Sequence, residues 1–270
     1  DGVEQYASIK HYHNETDNSI IPVLLGGLPV VGIEEGAYRN SSLKGTLRLP
    51  DSLRWIKGNP FAPSLSFSAD GNHPNFAVEN GLLIEKATNR AIALSANAKG
   101  VEKYAIPQGV QSIEAMAFSE AWMRSIDFPD SVKSIGDGAF YGCDNLSSIT
   151  IPNGVTSIGD EVFQDCRALT SVEIPASLRH IGSFPFDFII SEPTITISPE
   201  NTFFEVQNGL LIDKQAARVV QIVDRRIKKC TIPTGMKSIG SSAFQYSNIE
   251  SVMIPGSVQE IGVAAFKDCN

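Results

Sequence analysis

Apolar and polar positions alternate along most of this chain in short bursts, and the bursts recur. In the segment Leu146 to Ile151, apolar side chains stand at Leu146, Ile149 and Ile151, with Thr150 between the two isoleucines. That alternation predicts a strand with Ile149 and Ile151 facing a core and Thr150 facing away. Pro152 follows at once and ends the strand, because proline has no N–H for a ladder. Val155 and Ile158 return inward on a second short segment, and Val162-Phe163 completes the turn. Ile151-Pro152 comes back as Ile174-Pro175, and Ile135-Gly136 as Ile158-Gly159, each 23 residues on. Residues 146–175 are therefore one full turn of a repeat and the start of the next.

The repeat reads L-x-x-I-x-I-P-x-G/S-V-x-S-I-G-x-x-A-F-x-x-C-x. Its prolines fall at 107, 129, 152 and 175, then at 233 and 255, with gaps of 22, 23 and 23 in the first run and 22 in the second. Self-similarity at this period with L-x-x-L-x-L spacing is the mark of a leucine-rich solenoid. The expected fold is a right-handed, β-rich solenoid. A parallel sheet of short strands about 4.8 Å apart forms one face, and short helical or 3-10 turns form the other. One coil could not stand alone. It buries roughly six apolar side chains at about 1.5–3 kcal/mol each and orders some 23 residues at about 1.5 kcal/mol each. The balance turns favourable only when neighbouring coils cover its faces.

The interruptions divide the chain. Residues 1–20 do not fit the repeat and read as an N-terminal cap, with a strand in Tyr6 to His13. Residues 21–64 hold the first repeats. An insertion over 65–100 contains Asn80-Gly81-Leu82-Leu83-Ile84, which returns as Asn208-Gly209-Leu210-Leu211-Ile212 in a second insertion over 191–226. Each reads as a β-hairpin: a strand, a polar turn and a returning strand. Regular repeats fill 101–190 and 227–270, within one solenoid domain. The last coil lacks its following strand, so a frayed or uncovered apolar edge is expected there.

Composition narrows the chemistry. The formal charge of -8 argues against nucleic acid as a partner. One basic run, Arg225-Arg226-Ile227-Lys228-Lys229, reads as a solvated strand edge or loop. No stretch approaches the length of a membrane span, since the longest apolar run, Ile20 to Ile33, is broken by Pro22, Gly26, Gly27, Pro29 and Gly32. The chain opens on Asp1-Gly2-Val3-Glu4 without the basic and apolar regions of a signal peptide, which fits a cytoplasmic protein or a processed form. Cys143, Cys166 and Cys269 share a repeat position with Ser41, Ala121, Ile189 and Ser247, so they read as buried ladder thiols. Cys143 and Cys166 are stacked neighbours within disulfide reach, although parallel in-register side chains rarely have the needed torsion. Cys230 takes an inward strand position.

No nucleophile–base–orienter set, phosphate loop or paired-carboxylate motif stands out. No catalytic residue, cofactor or metal site is assigned. His11 and His13 share a strand face near Glu15 and Asp17, yet no third metal ligand is identifiable. Asn14, Asn40 and Asn145 begin glycosylation sequons. Trp55 replaces the outward serine of other coils and either packs under the first hairpin or forms an exposed contact. Trp122 poses the same question near the convex turn.

The motif I-P-x-G/S-V-x-S-I-G-x-x-A-F-x-x-C, most complete in PDSVKSIGDGAFYGCDNLSSITIP at 129–152, resembles the BspA-type leucine-rich repeat. The resemblance covers about residues 20–270 and extends to the N-G-L-L-I hairpins. Departures are Ala121, Ser247 and Ile189 at cysteine positions and Pro185 in place of the alanine before Phe186. The resemblance implies a non-enzymatic bacterial protein, on the cell surface or secreted, that adheres to or recognises a protein or glycan on a cell or matrix. The alternative is a structural spacer without a ligand of its own. The outward strand positions form the candidate ligand strip: Arg48, Asp127, Thr150, Glu173, Thr231 and Met253, with Ser66, Ala105 and Thr196 in the same column and Lys103 from the neighbouring one. These side chains are mostly small and polar, and none is aromatic.

Overall fold

The computed structural model describes residues 5–11, 21–69, 71–189 and 193–269. Across these residues the chain winds into a β-solenoid of about 11 turns. Each regular turn gives one longer and one shorter strand. The longer strands lie parallel: Ser148–Thr150 pairs with Ser171–Ile174, so that Ile149 faces Val172 and Thr150 faces Glu173. The two-residue strands Ser112–Ile113, Ser134–Ile135, Ser157–Ile158 and His180–Ile181 stack in register as a second column.

The third side is a ladder of turns. Among the described residues the one helical segment is the 3-10 turn Ala96–Ala98, fewer than the repeat pattern suggests. The turn backbone instead bonds from coil to coil. The N–H groups of Gly138, Phe140 and Gly142 donate to the carbonyls of Asp160, Val162 and Gln164 at 2.7, 3.0 and 2.9 Å. A donor aimed along the stack cannot also serve an intrahelical bond. Two residues per turn adopt positive φ to reach this geometry, as at Gly138 (55°) and Gly142 (67°) and at Glu161 (56°) and Asp165 (59°). By contrast Gly159, after the short strand, has no positive φ. Its constraint is space, for a Cβ there would lie 2.6 Å from the Asp137 amide nitrogen.

The core runs along the stack. Phe118, Phe140, Phe163 and Phe186 form a spine with centroids 5.4, 5.7 and 5.8 Å apart and rings within 18° of parallel. The cysteine column lines it. Cys143 and Cys166 are free, buried thiols whose Sγ atoms donate to the carbonyls of Phe118 and Phe140 at 3.2 and 3.1 Å.

Each insertion is a three-stranded antiparallel meander, one strand more than a hairpin. Phe76–Glu79, Leu82–Glu85 and Arg90–Leu94 form the first, and Phe204–Gln207, Leu210–Asp213 and Arg218–Ile222 the second. Asn80-Gly81 (φ 50° and 77°) and Asn208-Gly209 (φ 51° and 73°) make the extra turn, the Asn-Gly signature of a tight hairpin. Leu65–Ser68 and Thr194–Ile197, at the heads of the two inserted stretches, continue the longer column beside Gly45–Arg48 and Ser171–Ile174.

The unbroken Leu-Leu-Ile runs follow from burial on both faces. Leu83 and Ile92 enter the N-terminal core, while Leu82, Ile84 and Ala91 enter the central one. Leu211 and Val220 face back into the central core, and Leu210, Ile212 and Val219 enter the C-terminal core. Every meander is thus a wall shared by two cores. Each also interrupts the stack and leaves carbonyls to satisfy. Arg90 and Arg218 donate through Nη2 to Ile56 and Ile181, both at 2.7 Å. His73 Nε2 meets the Pro50 carbonyl at 2.9 Å, and the Asn201 amide reaches Pro175 at 2.7 Å and Leu178 at 3.1 Å.

At the N-terminal end Ala7–Ile9 lies parallel to Leu28–Ile33. His13, Glu15 and Asp17, and with them the paired-histidine arrangement, lie outside the described residues, as does Asn14. Trp55 lies against Gly32 of the neighbouring strand, where any Cβ would meet the indole at 2.0 Å. At the other end Ile261 is 52% exposed, whereas its equivalent Ile135 is 2% exposed.

Candidate recognition surface

All seven side chains of the strip, Arg48, Lys103, Asp127, Thr150, Glu173, Thr231 and Met253, are exposed. They do not form one continuous sheet. Arg48 belongs to a two-stranded ladder with Leu65–Ser68, Lys103 and Asp127 to the pair Lys103–Ala105 and Ser125–Asp127, Thr150 and Glu173 to a three-stranded ladder, and Thr231 and Met253 to a last pair. The meanders set the first and last of these pieces apart, whereas the pair ending at Ser125–Asp127 and the three-stranded ladder belong to one uninterrupted run of coils. Arg48 faces Ser68, not Ser66. Ser66 is buried, and its Oγ accepts the Asn97 N–H at 3.2 Å. The 3-10 turn over it is what removes it from the outward column.

Asp127, Thr150 and Glu173 do meet. They line a groove of about 700 Å³ along the margin where the longer strands end at their prolines. Its walls add Asp130, Thr196 and Glu200, and Phe128, Ile151, Pro152, Ile174 and Pro175 supply an apolar floor. The prolines that end each strand turn the chain away and leave this margin open. Thr150 Oγ1 donates to Glu173 Oε2 at 3.0 Å, and Lys103 Nζ pairs with Asp127 Oδ2 at 2.8 Å. Four carboxylates converge there, and Lys103 partners one of them from the rim. Arg48 stands apart, in a hollow of about 410 Å³ with Ile21, Val23 and Leu49. Thr231 and Met253 share a ladder at the C-terminal end, away from the groove.

A second depression opens on the opposite margin, just before the longer strands begin. It holds about 430 Å³ between Phe188, Tyr246, Arg167, Arg225, Asp165 and Asn248. The Phe188 and Tyr246 rings touch with centroids 5.1 Å apart. The strip reading missed both rings because they lie on the turn side. The signal was nonetheless present. They stand just before the cysteine column, where the other turns have Asn40, Glu120, Gly142, Asp165 and Asp268. Asp187 is buried beside this depression and its amide neighbour Phe188 donates to it at 3.0 Å. Burial pushes the Asp187 carboxyl up, and the nearby Arg225 charge only partly offsets that.

The remaining titratable features are structural. A hydrogen bond with Cys143 and burial hold the Cys166 thiol well above its ordinary range, and burial raises that of Cys230. Both are therefore protonated and poor nucleophiles. Lys99, lowered by burial, donates to the Ser119 carbonyl. In the basic run Arg226 pairs with Asp224 at 2.9 Å and Lys228 with Glu250 at 2.8 Å. Among the described residues no group of three or more His, Cys, Asp or Glu is placed to hold a metal, and no helix is long and apolar enough to cross a membrane.

Comparison with solved structures places this architecture. A leucine-rich repeat protein from Eubacterium ventriosum superposes with a TM-score of 0.55 at 22% identity, over 96% of this chain and 64% of its own. A leucine rich cell surface protein from Faecalibacterium prausnitzii gives 0.50 at 25% identity, over 99% and 71%. The pneumococcal vaccine antigen PcpA gives 0.51 at 18% identity, over 88% and 60%. The chain thus spans less than two thirds of the first and third of these proteins. No curated protein matches the sequence. The BspA type leucine rich repeat region matches in six copies over residues 95–208 and 224–270, which is more than half of the chain, and the chain belongs to that family.

Proposed function

We propose that this chain is a non-enzymatic recognition module of a bacterial cell-surface or secreted protein, and that it holds a protein or glycan partner in the groove formed by Asp127, Thr150 and Glu173. The observation that carries the reading is the groove itself, a walled depression of about 700 Å³ built from side chains of successive turns. Its size lies within the range of ligand sites, and an apolar floor with a few convergent polar groups is their usual make-up. Exposed carboxylates on its walls select for a partner that brings positive charge, such as a Lys- or Arg-bearing segment of a matrix protein. The similarity to a solved leucine rich cell surface protein supports the location.

The competing reading is a spacer whose repeats set length. An evenly polar surface would favour it, and the Thr150–Glu173 and Lys103–Asp127 pairs do satisfy part of the strip internally. The touching Phe188 and Tyr246 rings weigh the other way, because exposed aromatic clusters are features of binding surfaces. A binding screen of the whole chain against immobilised matrix proteins and a glycan array separates the two. Recognition requires at least one saturable partner, and a blank screen across both panels favours the spacer.

A further inference from the structure

We infer that the depression between Phe188 and Tyr246 is a second binding site, independent of the groove, and that it takes a carboxylate-bearing sugar residue. Three observations converge on it. The first is aromatic surface. Phe188 and Tyr246 occupy a repeat position that elsewhere carries Glu, Gly, Asp or Asn, and Tyr246 remains 38% exposed. Their planes are inclined at 46°, so the pair forms a corner instead of a flat stack. A corner of two rings offers apolar faces to the C–H side of a pyranose ring.

The second is cationic character in an acidic molecule. The chain carries a formal charge of -8, yet Arg167 and Arg225 both line this depression. Arg225 is held in place through Nη1, which donates to the Ile189 carbonyl at 2.9 Å. Arg167 approaches Asp144 at 3.6 Å and Asp165 at 3.5 Å, longer than hydrogen bonds. Its planar guanidinium is therefore placed to accept a better partner, and a carboxylate matches that fork bidentately. The third is the mixed polar rim. Asn248 and Asp165 add an amide and a carboxylate, which suit the paired donor and acceptor character of sugar hydroxyls. A volume of about 430 Å³ accommodates one or two sugar rings.

The fold explains why the site lies here. It sits where the second meander interrupts the turn ladder. There Phe186 N–H turns to the side-chain oxygen of Gln221 at 3.3 Å in place of a backbone carbonyl of the next coil. The interruption parts the two regular runs and lets side chains from both, Asp165 to Ile189 on one side and Tyr246 and Asn248 on the other, face a common space. Near the first meander, Phe61, Phe67 and Lys99 line a cavity of only about 10 Å³.

The test is saturation-transfer NMR and titration of the whole chain with N-acetylneuraminic acid, glucuronic acid and galacturonic acid. Glucose, galactose and a tetraglutamate peptide serve as comparators. The expected result is saturable binding of at least one acidic sugar, at least tenfold weaker for the neutral sugars and for the peptide. Tyr246→Ala and Arg167→Gln should each weaken it at least tenfold with unchanged thermal unfolding, while Glu173→Gln, in the groove, leaves it intact. Both substituted side chains are partly exposed, so folding is preserved. Absence of binding by all three acidic sugars, equal binding of their neutral counterparts, preference for the peptide, or survival of binding in both variants would each overturn the proposal. Loss of binding in Glu173→Gln would instead assign it to the groove.

Discussion

Side chains in this molecule are read best by column, because each residue's environment is set by the residues one turn above and below. Phe163 is the clearest case, stacked between Phe140 and Phe186 at 5.7 and 5.8 Å and fully buried. Phe163→Ala removes both ring contacts at once in a spine that cannot close over the gap, so a loss of about 3–5 kcal/mol is expected in chemical denaturation. The cysteines are columnar too. Serine already fills their position at Ser41 and Ser247, which explains why the sequence pattern alone identified them as packing groups. Asp187 departs from this pattern, a carboxylate at a buried place. Its folded-state pKa is raised above the ordinary 3.8 by burial. The folded protein therefore binds its proton more tightly than the unfolded chain does. Asp187 contributes stability that is full below the ordinary pKa and is lost as pH rises through the folded value. Asp187→Asn keeps an oxygen for the Phe188 N–H and removes the charge. It should raise the melting temperature at pH 7, and the gain should shrink toward zero near pH 3; a variant less stable than the parent at pH 7 contradicts this.

Among the elements, the strands were legible and the turns were not. The alternation Ile149-Thr150-Ile151 assigned inward and outward faces correctly, because period two survives any choice of side chain. The turn ladder left no such trace. Its positive-φ positions carry Met116, Glu120, Glu161 and Phe184 as readily as glycine, so the usual signal for left-handed backbone is missing. The meanders were half legible. Asn80-Gly81 stands inside the repeated segment that reads as one strand, and its turn adds to each insertion a strand that the hairpin pattern does not count. The arginine at the head of each last meander strand was missed as well, because its partner is a carbonyl far away in sequence. Arg218 spans from Asp213 at 3.9 Å to the Ile181 carbonyl at 2.7 Å. Arg218→Met keeps the apolar stem but strands both groups. It should cost about 2–3 kcal/mol and speed amide exchange around His180–Ile181, whereas an unchanged denaturation midpoint would show that the arginine does not cap the interrupted ladder.

For the molecule as a whole, the two meanders matter more than any single coil. They divide the core into three clusters and belong to both neighbours, so they transmit packing across what would otherwise be joints. They also break the outward strip into separate ladders. That is why Arg48, Thr231 and Met253 could not join Asp127, Thr150 and Glu173 in one surface, although the repeat placed all of them in one column. A column is a local property that sequence reveals, while its continuity depends on insertions whose geometry is tertiary. The partner is legible only as chemistry: acidic walls over an apolar floor. The decisive measurement is the affinity of a partner captured in the matrix-protein and glycan screen for the parent chain and for Asp127→Asn/Glu173→Gln, with thermal unfolding followed in parallel. If the groove is the recognition site, the double variant binds at least tenfold more weakly, about 1.4 kcal/mol, with unfolding unchanged. Undiminished binding by the folded double variant would contradict the assignment.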